Sequence, residues 1–149
     1  MFKKQPLPDS CYHVSSRAII YDARMRILVI EREDGSYTLP GGDWDFKEPF
    51  EKSIRKAIKK QLGAEVLFIG RITFNYRARA HSDDPWSLRL CAPVLLKKNE
   101  KLKLGQGIAN TYFIDRPTFM NTTFARDDGP IKEHVNDLWL PVEKKPLKR

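Results

Sequence analysis

Apolar residues along this chain fall mostly into short alternating or β-branched runs, and one stretch alone shows clear helical spacing. Residues 13–21 (His-Val-Ser-Ser-Arg-Ala-Ile-Ile-Tyr) predict a strand, and residues 26–31 predict a second. The turn-like Asp22-Ala23-Arg24-Met25 between them suggests that the two pair as a hairpin. Asp34-Gly35-Ser36 is a turn signal. Tyr37-Thr38-Leu39 is a short extended piece, because Pro40 disfavours helical geometry in the residue before it. The helix is expected over residues 49–62, where Phe50, Ile54, Ala57, Ile58 and Leu62 recur on one face. Pro49 suits its first turn, and Gly63 suits the position just past its end. Further strands are expected over 64–69, 71–78, 87–96 and 111–115, with a charged turn at 97–103 and a loop bracketed by Gly105 and Gly107. Residues 116–130 read as irregular, and 137–142 as a last short strand. Residues 1–12 form a lead-in and 144–149 a basic tail. With no repeat and no linker in 149 residues, the expectation is a single domain over 1–149, a mixed α/β sandwich. A chain of this length buries about 70% of its unfolded surface, so neither disulfide nor structural metal is needed for stability.

Charge and cysteine content narrow the setting. The formal net charge is +8. Such a field favours anionic partners, among them nucleotides, nucleic acid and acidic proteins, but it also serves solubility alone. Cys11 and Cys91 lack metal-ligand spacing and make no disulfide framework. Cys91 sits among Leu88, Leu90, Ala92 and Val94 and reads as a small buried hydrophobe. The expected setting is reduced and cytoplasmic. The first residues carry charge without an apolar core, unlike a signal peptide, and no apolar run approaches the ~18 residues of a membrane span.

The chemistry lies around the helix. Leu39-Pro40-Gly41-Gly42, then Glu48, then Gly63-Ala64 resembles the Nudix box, which runs Gly, five residues, Glu, seven residues, Arg-Glu-apolar-any-Glu-Glu-any-Gly-apolar. Gly42 and Glu48 stand five residues apart, and seven residues later comes Lys56-Ala57-Ile58-Lys59-Lys60-Gln61-Leu62-Gly63-Ala64, without insertion. The strands before the box and the terminal Trp139-Leu140-Pro141-Val142-Glu143 extend the resemblance over about residues 13–145. It implies an α/β/α sandwich with a mixed sheet. It also implies hydrolysis of a nucleoside diphosphate linked to another group, with Mg²⁺ or Mn²⁺ activating water and neutralising charge.

The family draws its metal ligands from three glutamates of the helix. Here those positions are Ala57, Lys60 and Gln61, still on one helical face by their i, i+3, i+4 spacing. Hard dications want carboxylate oxygens, and an ammonium at their place repels them. No metal is therefore expected at these positions, and hydrolysis is expected to be impaired. The family's arginine is replaced by Lys56, which lacks a planar fork. Glu48 remains, either as a relic metal ligand or water-orienting group, or as a carboxylate well placed at a helix N-terminus.

What the site does instead is left open between three readings. In the first, the cations of the helix (Lys52, Arg55, Lys56, Lys59, Lys60) hold phosphates directly. Gly41, Gly42, Trp44, Lys56, Lys60 and Gln61 then contact a nucleotide-like ligand, with Trp44 or Phe46 stacking on a base. In the second, hydrolysis survives on non-standard ligands: Glu48 with Asp43 and Asp45, or with Asp127, Asp128, Glu133 and His134 in the late loop. In the third, the basic helix is a module for nucleic acid or protein, joined by the arginines and aromatics of residues 74–89.

Overall fold

The computed structural model describes residues 12–44, 47–77, 86–97, 101–125, 128 and 131–139. Its elements are β1 (Tyr12–Ile20), β2 (Ile27–Arg32), β3 (Tyr37–Thr38), β4 (Gly41–Asp43), α1 (Phe50–Leu62), β5 (Val66–Ile69), β6 (Thr73–Arg77), β7 (Trp86–Leu96), β8 (Ile108–Ile114), α2 (Arg116–Asn121) and α3 (Ile131–Leu138).

The strands form two sheets. In the larger, β4, β1 and β7 lie side by side, with β5 and β6 taking successive parts of the remaining edge of β7. The pairing of β1 with β7 is parallel from Tyr12 opposite Trp86 to Ile20 opposite Val94, and the other pairings are antiparallel, so the sheet is mixed. The smaller sheet runs β3-β2-β8.

Side-chain alternation along the central strands builds two cores. Ala18 and Ile20 of β1, Leu28 and Ile30 of β2, and Ala92 and Val94 of β7 pack against Phe50, Ile54, Ile58 and Leu62 of α1. Their neighbours of opposite parity, Ile19, Ile27, Val29 and Cys91, pack against Phe119 of α2 and Ile131 and Val135 of α3. The result is the expected α/β/α sandwich. Each large side chain buried from α1 contributes roughly 1.5–3 kcal/mol. The helix ends as its sequence predicts: Gly63 is left-handed, at φ 63°, and its N–H donates to Lys59 O.

Three expectations need correction. First, β1 and β2 are not a hairpin. They lie in different sheets, touching at one bridge between Tyr21 and Ile27, because β7 and β4 occupy both edges of β1. Second, part of the supposedly irregular 116–130 is helix α2. Asp115 caps it by accepting from Thr118 N at 3.0 Å, and Pro117 lies in its first turn. Third, Asp137 and Leu138 belong to helix α3 rather than to a last strand, and the rest of that strand beyond Trp139 lies outside the described residues. The lead-in, apart from Tyr12 in β1, and the basic tail also lie outside them.

Candidate functional site

The geometry of the site begins at Gly41. Its φ is 139°, and a Cβ there would lie 2.1 Å from Ser16 O, so the loop passes too close to β1 for any side chain. Facing it, the amide of Gln61 makes two hydrogen bonds to one residue. Gly41 N donates to Gln61 Oε1 at 2.9 Å, and Gln61 Nε2 donates to Gly41 O at 2.8 Å. The last turn of α1 is thereby fastened to the glycine loop. Its carbonyls are met in turn by a later loop: Lys103 N donates to Leu62 O and Gly105 N to Gln61 O.

Between these parts lies a cavity of about 470 Å³, with Gly41, Gly42, Ala57, Lys60 and Gln61 on its wall. The three box positions thus meet at one surface, as their helical spacing predicts. Arg32, at the end of β2, and Gln106 also line it, and Asp43 lies at the outer strand β4. Arg32 and Gln106 carry no motif. Their only signal in the sequence was the glycine-bracketed loop around Gln106. A larger concavity of about 760 Å³ between β2, β8 and α2 includes neither α1 nor the glycine loop.

Other expected site residues lie elsewhere. Lys56 Nζ donates to Glu48 Oε1, so the one remaining box carboxylate is held by the residue at the box arginine position. Neither lines the cavity. Trp44 does not line it either. Its Nε1 donates to Glu48 O at 3.0 Å, and its ring stands edge-on to Phe50 at 6.3 Å. Arg55 donates to Val66 O at 2.7 Å. Lys60 is exposed and, among the described residues, forms no ion pair.

The late-loop candidates do not gather at the cavity. Asp128 is fully buried. It accepts from Arg17 Nε at 2.7 Å, from Leu39 N at 3.0 Å and from Thr38 Oγ1, with Arg89 Nε 3.8 Å away. It secures the approach to α3 beneath β1 and β3. His134 Nε2 lies 3.0 Å from Thr73 Oγ1 on β6, and Glu133 is exposed on α3. Asp43 pairs with His13 at 3.0 Å. Asp45, Phe46 and Asp127 lie outside the described residues. Among the described residues, no three of His, Cys, Asp and Glu form a group able to hold a metal ion.

Solved structures share this fold. The MutT protein from Methanosarcina mazei Go1 superposes with a TM-score of 0.71, at 13% identity, over 89% of this chain and 98% of its own. The E. coli ORF135 protein gives 0.67 at 17% identity, covering 90% and 95%. The Nudix domain of Shewanella oneidensis NrtR, complexed with ADP ribose, gives 0.63 at 16% identity, covering 92% and 90%. The chain has the Nudix fold. No protein-family model matches the sequence, and no curated protein does. Among the described residues, no helix is long and apolar enough to cross a membrane.

Proposed function

We propose that this chain binds a nucleotide-like, phosphate-bearing ligand in the cavity between the glycine loop and α1, and is impaired in metal-dependent pyrophosphate hydrolysis. The observation that carries the reading is Lys60, an exposed cation on the cavity wall at a position where the family places a metal-binding carboxylate. The donors around it do not suit a hard dication. Ala57 presents a methyl group, the Gln61 oxygen is engaged by Gly41 N, and Glu48 is engaged by Lys56. A unit charge pair at ~4 Å is worth about 4 kcal/mol at an effective dielectric of 20. Solvent screening at an exposed lysine reduces this. Even ~1.4 kcal/mol is a tenfold loss of metal affinity.

Lys60 and Arg32 suit phosphate oxygens, to which they donate charge-assisted hydrogen bonds. The ADP ribose bound by the NrtR Nudix domain supports a nucleotide-like ligand for this fold. Of the five α1 cations only Lys60 lines the cavity, so the other four are not assigned to the ligand.

The test is a hydrolysis screen over nucleoside diphosphate compounds with Mg²⁺ and Mn²⁺, beside calorimetric titration of the same compounds in chelator. The expected result is binding without turnover. Turnover by the unaltered chain, or no binding of any compound, overturns the proposal.

A further inference from the structure

The charge on the cavity wall has a consequence for which form of a phosphate ligand is accepted. This rests on the proposal above that the cavity binds phosphate. Phosphate compounds in water exist both as free anions and as magnesium complexes, and a metal-dependent site takes the complex. Here the wall carries Lys60 and Arg32, with Asp43 the one acid among the described lining residues, and Asp43 faces His13 Nε2 at 3.0 Å.

We infer that the cavity selects the metal-free diphosphate and rejects its magnesium complex, so that Mg²⁺ antagonises binding instead of supporting it. Three features lead to this. A bound Mg²⁺ cancels two of the negative charges that Lys60 and Arg32 attract. The ion parts with its waters reluctantly and needs carboxylates to replace them, while Glu48 is held by Lys56 outside the cavity wall. The hydrated ion must also share about 470 Å³ with the ligand. Lys60 itself takes the role of the metal, as a fixed positive charge that needs no recruitment. By linkage, the diphosphate held in the cavity binds Mg²⁺ more weakly than the free diphosphate, by the same factor as Mg²⁺ weakens its binding to the chain.

The test is calorimetric titration of the full chain with ADP and with inorganic pyrophosphate. One series contains EDTA, and the other contains excess Mg²⁺ at matched ionic strength. The expected result is binding in EDTA and a Kd about tenfold or more higher with Mg²⁺. Lys60→Gln should weaken binding in EDTA by about tenfold and shrink the Mg²⁺ effect. Lys59→Gln, which removes the same charge from the same helix away from the cavity, should behave as the parent does. Equal or tighter binding with Mg²⁺ overturns the inference and leaves the binding proposal standing. Equal losses in the Lys59 and Lys60 variants overturn the role of Lys60. No binding of either probe in either series overturns the inference; the proposal beneath it is overturned when no compound of the wider screen binds either.

Discussion

Gln61 grips Gly41 by both of its backbone polar groups, accepting from the N–H at 2.9 Å and donating to the carbonyl at 2.8 Å. An amide does both at once, whereas an ionised carboxylate only accepts. A carboxylate at this position would keep the first bond and set two oxygens against each other in the second. Gln61→Glu, the change that restores the family residue, is therefore expected to destabilise the fold by about 1–3 kcal/mol. Urea denaturation of parent and variant measures this. An unchanged midpoint would remove the structural role assigned to Gln61.

The two adjacent glycines should respond differently. At Gly41 an added Cβ meets Ser16 O at 2.1 Å, and the backbone is at φ 139°, so Gly41→Ala should cost about 3 kcal/mol or more. At Gly42 no atom lies within 4 Å of the added Cβ, and Gly42→Ala should stay within about 0.5 kcal/mol of the parent. Comparable losses in the two variants would contradict the loop geometry.

Asp128 should be indispensable for folding, not for chemistry. Asp128→Ala leaves the buried Arg17 and Arg89 beside an apolar gap, at a cost of about 3–5 kcal/mol. Thermal denaturation should register the loss. A variant as stable as the parent would argue that the carboxylate is instead available to a ligand.

Cys91 should be inert. Burial pushes its thiol up to about 12, so almost no thiolate exists at neutral pH. Iodoacetamide followed by peptide mapping should leave Cys91 unmodified in the native chain and modify it in denaturant. Rapid native labelling would mean that the sheet face between β7 and α3 opens.

Much of this architecture was legible because helical periodicity carries its own geometry. Phe50, Ile54, Ile58 and Leu62 marked the buried face of α1, and the same period brought Ala57, Lys60 and Gln61 together at the cavity. What escaped depends on contacts distant in sequence. Arg32 and Gln106 reach the cavity only through pairing of β2 with β8. Asp128 looks like a turn acid until Arg17, 111 residues away, closes on it. The two short helices left faint marks: Asp115 and Pro117 at the start of α2, and Ile131 and Val135 four apart in α3. Adjacency in sequence misled at β1 and β2, where the parallel partner β7 prevailed over the neighbouring strand.

The most direct measurement is a manganese titration of the unaltered chain, with free Mn²⁺ followed by electron paramagnetic resonance. With Lys60 on the cavity wall and Glu48 held by Lys56, affinity should be weaker than about 1 mM, with no site saturating at one ion per chain. One tightly held ion per chain, displaced by magnesium and accompanied by nucleotide cleavage, would contradict the account.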